Sequence, residues 1–182
     1  MTTKKNTPSW SDVKTQLADF DRAGLIGLVQ DLCAASKDNQ AFIHTRLGLG
    51  DDPLEPYKAT ITRWINPADL RKPMSVAKAK KAITDYKKAL GHPESLAELT
   101  VFYCEEVFAF LAGCGMDDES FFDALVRMFE QALKYVLALP AAQQASFIAR
   151  LDRVRQLGQD LGWGVGEDFD HYWAAAGLVE DE

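Results

Sequence analysis

Residues Glu94 to Gly113 read ESLAELTVFYCEEVFAFLAG. Leu96, Leu99, Tyr103, Val107 and Phe110 recur at steps of three and four and fill one helical face, while Val101, Phe108 and Leu111 cover much of another. A strand would show alternation with period two over a shorter run, and this stretch keeps the helical period throughout. A helix that is apolar on most sides has little surface left for water, so it belongs in the middle of other helices. The rest of the chain has to supply those neighbours.

On its C-terminal side, Asp117 to Leu139 is amphipathic, with Phe122, Leu125, Val126, Phe129, Leu133, Val136 and Leu137 facing inward. Asp123 with Arg127 and Glu130 with Lys134 stand four apart, acid first, the order that supports a helix by a few tenths (~0.3) of a kcal/mol per pair. Pro140 opens the next helix, whose stripe is Phe147, Leu151, Val154 and Leu161, and Gly158 would let a neighbouring backbone approach. A last helix over Glu167 to Ala176 is anchored by Phe169, Tyr172 and Trp173. On the N-terminal side, Ser75 caps a helix with the narrow seam Val76, Ala79, Ile83, Tyr86 and Leu90, closed by Gly91-His92-Pro93. Before it, Leu54, Tyr57, Ile61, Trp64 and Ile65 form a face that Asn66-Pro67 should stop, leaving Pro67 to Pro73 irregular. Three more helices precede these. One carries Trp10, Val13, Leu17 and Phe20 behind Ser9. A second follows Asp21 and ends near a polar Lys37-Asp38-Asn39 turn, and a short third holds Phe42, Ile43 and Leu47.

The fold expected is therefore all-α, with about eight helices in antiparallel pairs packed as an irregular bundle or a short α-α superhelix. No fixed repeat period supports a regular solenoid. A single helical domain over 9–178 is expected between a flexible N-terminal tail, 1–8, and an acidic C-terminal tail, 179–182. With 182 residues, 47% apolar and 26% charged, the chain has the make-up of an ordinary globular domain. It contains no membrane-length apolar run and no secretory signal core in its first twenty residues, so cytoplasmic residence and no membrane partner are expected. Cys33, Cys104 and Cys114 are odd in number and lack the paired spacing of zinc or redox motifs, which reads as reduced, buried thiols.

Catalytic patterns are scarce. No Walker loop, H-E-x-x-H, G-x-S-x-G or EF-hand loop occurs. Gly162, Gly164 and Gly166 follow a helix rather than a strand and read as a helix stop and turn, not as a phosphate cradle. Glu167, Asp168 and His171 could put a carboxylate beside an imidazole, but there is no Glu-x-x-His to complete a di-iron set. His44 and His92 stand alone. Asp117-Asp118-Glu119 begins a helix, where negative charge meets exposed N–H groups. No catalytic residue, metal ligand or cofactor is expected.

One feature rises above this background. Between Lys58 and Lys88 nine positive residues face two negative ones, a local charge of +7 in a chain whose total is −7. The residues singled out for binding an anionic partner are Arg71, Lys72, Lys78, Lys80, Lys81, Lys87 and Lys88. A solvated lysine face, or one turned toward the acidic remainder of the same molecule, would also account for them. The functional expectation is a non-enzymatic protein-interaction module that uses this basic helix face or a groove between helices for a partner, with an acidic protein as the partner expected at the basic face. The alternative is nucleic-acid binding through the Lys58–Lys88 segment, against which stand few interleaved aromatics and a pI near 5.0. An enzyme with a site assembled from dispersed residues is a third reading.

Arg71-Lys72-Pro73-Met74-Ser75 leading into Ala79-Lys80-Lys81-Ala82-Ile83 resembles a family of small bacterial helical proteins known only as a domain of unknown function. Phe121-Phe122, Met128-Phe129-Glu130-Gln131-Ala132, Phe147 to Arg155 and the Trp163 to Phe169 turn are similar to it in the same order. The resemblance runs from about Arg22 to Trp173. It implies a helical fold in a bacterial cytoplasm and no activity or site residue.

Overall fold

A computed structural model describes residues 7–69 and 71–178. The acidic tail expected at 179–182, and the first six residues of the tail expected at 1–8, lie outside the described residues. Among the described residues there are nine α-helices and no strand. The chain divides into two compact units, the first ending at Ile43 and the second beginning at His44.

The first unit holds α1 (Trp10–Leu17), α2 (Arg22–Ala35) and most of α3 (Lys37–Arg46). Ser9 and Asp12 form a reciprocal capping box on α1, the Asp12 carboxylate accepting from the Ser9 N–H at 2.7 Å. Asp21 caps α2 by accepting from the Gly24 N–H at 2.7 Å. The Lys37-Asp38-Asn39 stretch, expected as a turn, instead opens α3. Ser36 is extended and accepts from the Asp38 N–H, and the Asn39 side-chain amide donates to the Leu32 carbonyl at 2.9 Å. One extended residue thus breaks the helix where a polar turn was expected.

The second unit is made of α4 (Glu55–Ile65), α5 (Val76–Ala89), α6 (Pro93–Gly113), α7 (Glu119–Leu137), α8 (Ala141–Gly158) and α9 (Val165–Ala175). These fall into three consecutive helical hairpins, α4 with α5, α6 with α7, and α8 with α9. α6 packs against α4, α5, α7 and α8, the central place that its apolar sides demand. No substantial contact joins the first hairpin to the third among the described residues. The substantial contacts therefore run from each hairpin to the next, and the second unit is a set of three helical hairpins packed in chain order. Its leading helices, α4, α6 and α8, form one row.

The core runs through all three hairpins. Ile61, Ile65, Tyr86, Leu99, Tyr103, Leu125, Phe129, Leu151 and Phe169 are fully buried, and each side chain of this size removed from water contributes about 1.5–3 kcal/mol. The Tyr57 and Tyr86 rings meet edge to face at 5.3 Å between α4 and α5, and the Phe129 and Phe169 rings stack at 4.1 Å between α7 and α9. Gly158 does permit a close approach, but of a ring and not of a backbone. A Cβ there would lie 2.6 Å from Phe169 Cδ2. The backbone approach occurs at Gly166, whose Cβ would lie 3.1 Å from Gln159 Cα.

Gly162 to Gly164 form the turn between α8 and α9, as the glycine spacing suggested. Gly164 takes φ 72°, and Trp163 before it takes φ 63°, a left-handed conformation that a bulky side chain rarely adopts. The Trp163 indole N–H donates to the Asp117 carboxylate at 2.9 Å, joining this turn to the one before α7.

Candidate anion-binding face

The basic segment occupies the first hairpin and the connection inside it. α4 begins with Pro56 in its first turn and ends at Asn66, whose N–H still reaches the Thr62 carbonyl at 2.8 Å. The Ser75 N–H donates to the Trp64 carbonyl at 3.0 Å, which folds the end of the connection back onto α4. The Ser75 hydroxyl then accepts from the Lys78 N–H and starts α5. α5 buries Ala79, Ala82, Ile83, Tyr86 and Ala89, so a small, narrow seam faces α4 and α6 and the lysines take the remaining surface. Lys78, Lys81, Lys87 and Lys88 are exposed, as are Arg71 and Lys72, and Lys80 is half-buried.

The partners of these cations differ. Lys58 lies 2.6 Å from the Glu98 carboxylate on α6. Arg71 holds Asp69 through its Nε at 2.9 Å, and this fork keeps the Asp69 carboxyl below the usual range. Lys81 pairs with Asp85 one turn along α5. The Lys78 ammonium stands 3.9 Å and the Arg63 guanidinium 4.9 Å from the centre of the Trp64 ring. Lys87 donates to the Tyr135 hydroxyl at 3.3 Å and lies over the edge of that ring. Among the described residues, no carboxylate pairs with Arg63, Lys72, Lys78, Lys80, Lys87 or Lys88. The acidic remainder of the molecule therefore neutralises Lys58 and leaves most of the face positive.

A shallow hollow of about 520 Å³ lies where α4, the connection and α6 meet. Lys58, Arg63 and Lys72 line it beside Thr62, Asn66 and Phe102, with Glu55 as the one acid. Lys80 stands apart, beside a second hollow between the first turns of α5 and α7. The seven residues singled out from the sequence thus share one hairpin without converging on a single point.

A charged cluster across the α4, α6 and α8 row was not legible in the sequence. Arg150 on α8 donates to both carboxylates of α6, from Nη1 to Glu98 at 2.5 Å and from Nη2 to Glu105 at 2.6 Å. Lys58 completes the set from α4. Burial pushes the Glu98 carboxyl up, and the hydrogen bonds from Arg150 and Lys58 outweigh it and hold the group below its ordinary 4.5. Glu98 and Glu105 are seven apart and hence on one helical face, which is legible; that Arg150 and Lys58 meet them depends on which helices are neighbours, which is not.

Among the described residues no three His, Cys, Asp or Glu side chains could together hold a metal ion. Asp118 is the cap of α7, and the Ser120 hydroxyl and Phe121 N–H hold its carboxyl low. Of the three free cysteines only Cys104 is buried, where loss of water pushes its thiol up; Cys33 and Cys114 are half-buried, contrary to the expectation that all three would be inside. Cys114 is the extended residue that ends α6, and Cys33 lies on α2, none of whose residues is buried. No helix of the described residues is long and apolar enough to cross a membrane. The chain matches no family model, no curated protein and no solved structure.

Proposed function

We propose that this protein is a non-enzymatic interaction module whose α4–α5 hairpin holds an acidic segment of a partner protein. The observation that carries the reading is the set of six cations, Arg63, Lys72, Lys78, Lys80, Lys87 and Lys88, without a carboxylate partner among the described residues. Like charges gathered on one hairpin repel one another, and an anionic chain laid across them relieves that repulsion. A protein segment fits better than a nucleic acid on two counts. Trp64, Phe102 and Tyr135, aromatics next to the face, already carry Lys78 and Arg63, Lys58, and Lys87 respectively, which leaves little open ring for base stacking. The rest of the chain bears −14, a field that opposes a long polyanion more than a short acidic stretch. Cytoplasmic residence fits the three free thiols. A bacterial setting, which the resemblance to a domain of unknown function implies, would add no activity to this reading.

The test is fluorescence anisotropy of a labelled Glu- and Asp-rich peptide, and separately of a labelled DNA duplex, titrated with the full chain at two salt concentrations. The variant carries Lys72→Glu, Lys80→Glu and Lys88→Glu. Peptide binding that weakens with salt and falls at least tenfold in the variant is the expected outcome. Peptide binding that the variant leaves unchanged removes the basic face from the function. Duplex binding without peptide binding, falling steeply with salt, transfers the face to nucleic acid.

A further inference from the structure

The row of leading helices has a second flank, away from the basic connection. Between α6 and α8 runs a groove of about 500 Å³. On the α6 side Phe108 and Leu111 form its wall, with the exposed, small Ala109 and Ala112 beside them. Val154, Leu157 and Leu161 form the opposite wall on α8 and just past its end. Leu157 is 55% exposed, while Leu111 and Leu161 are half-buried and rest on the core. From Arg150 to Gly158, the last residue of α8, this wall rises roughly 12 Å, a little over two turns, and Leu161 continues it past the helix end.

Its charge is as specific as its shape. Arg150 and Glu105, at one end, already neutralise each other within the cluster on α6. Arg153 has no carboxylate partner among the described residues, and its Nε makes only a 3.4 Å contact with the Ala149 carbonyl of its own helix. The unmet charge of the groove is therefore positive. Two residues beyond Leu161 stands Trp163, 54% exposed at φ 63°, its own indole N–H donating to the Asp117 carboxylate. That bond gives the Trp163 conformation a structural role, and the part of its ring left in water stands with the Arg153 guanidinium near one end of the groove, both of residue types that dominate binding.

From this arrangement we infer that the α6–α8 groove is a docking site for an amphipathic helix of a partner protein, with a contact face of about two turns. Its apolar face lies between Phe108 and Leu157 over the alanines, and one acidic side chain meets Arg153. The mode is helix-in-groove, with anchors at i, i+3 or i+4, and i+7. It uses a different surface from the basic hairpin and stands whether or not that hairpin binds anything.

The experiment is selection of 15-residue helical peptides from a displayed library against the full chain, followed by anisotropy of the labelled winners. The variants are Leu157→Glu and Arg153→Glu, checked for unchanged helix content and melting. Winners should share leucine-like residues at helical spacing with an acid. They should bind wild type at least tenfold more tightly than either variant, and equally well to the Lys72→Glu, Lys80→Glu, Lys88→Glu protein. Replacing the peptide's acid with lysine should restore binding to Arg153→Glu. The inference is overturned by a selection that enriches nothing, or by winners indifferent to both substitutions. It is also overturned by sedimentation showing a dimer that Leu157→Glu dissociates, because the occupant would then be a second copy.

Discussion

Gly158→Ala should destabilise the second unit, although alanine is the better helix former. The new Cβ would stand 2.6 and 2.7 Å from two carbons of the Phe169 ring, where ordinary contact begins at 3.4 Å. One partner must therefore move by close to an ångström. Phe169 is fully buried and stacked on Phe129, itself fully buried, so the ring has no solvent side toward which to yield. Overpacking of this kind costs about 1–3 kcal/mol. The helix preference of alanine offsets up to about 1 kcal/mol, and less at this last residue of α8. The net loss is about 1–2 kcal/mol, which for a chain of this size lowers the Tm by roughly 2–8 °C. Urea unfolding of wild type, Gly158→Ala, Phe169→Leu and the double variant measures it. The smaller, more flexible leucine should remove at least half of the alanine penalty. A neutral or stabilising Gly158→Ala, or strict additivity with Phe169→Leu, would refute the packing argument.

Four further outcomes follow from the same structure. The Tyr86 hydroxyl is buried with no hydrogen-bond partner among the described residues, so Tyr86→Phe should raise stability, by about 1 kcal/mol in urea unfolding. Arg150→Met leaves Glu98 and Glu105 facing each other with Lys58 alone, and should lose about 1–2 kcal/mol at pH 7, less than for a fully buried pair because the groups are partly exposed. Glu98 has its folded pKa depressed, so its contribution is complete above the ordinary 4.5 and is lost as pH falls below it; the Arg150→Met penalty should accordingly shrink in acid melts and stay constant from pH 6 to 8. In native protein a thiol reagent should modify Cys33 and Cys114 faster than Cys104, which should react fully only after unfolding.

Helix period and caps carried most of the fold. Ser9, Asp21, Ser75 and Asp118 all cap where short polar residues precede apolar stripes, because a cap is a bond between near neighbours in the chain. The centrality of α6 was legible for a similar reason: Val101, Phe108 and Leu111 leave it few sides for water. What failed was short or non-local. Ser36 ends α2 through its own extended backbone, which no composition signal marks. Cys33 and Cys114 are half-buried, the first on a helix with no buried residue and the second as the extended residue that ends α6. For the candidate face the positions of the lysines were plain, whereas their neutralisation was not, since Lys58 meets Glu98 forty residues on and Lys78 rests on Trp64. That a groove lies between α6 and α8 in particular was hidden, because its two walls are segments about 45 residues apart that become neighbours only in the fold.

That stack has a kinetic meaning as well. When each hairpin closes over a short loop and meets only the next, most contacts are close in sequence, and the entropy of loop closure is lost in small steps. Such a chain can fold rapidly from the α6–α7 hairpin outward, since that pair alone has a neighbour on both sides. Amide exchange would then be slowest in α6 and α7 and faster toward α4 and α9, with Arg150 and Lys58 as the latches by which the outer hairpins join the centre. The same local wiring lets an end hairpin open while the centre stays closed, so the two proposed binding surfaces, each resting partly on an outer hairpin, lie where the molecule yields first.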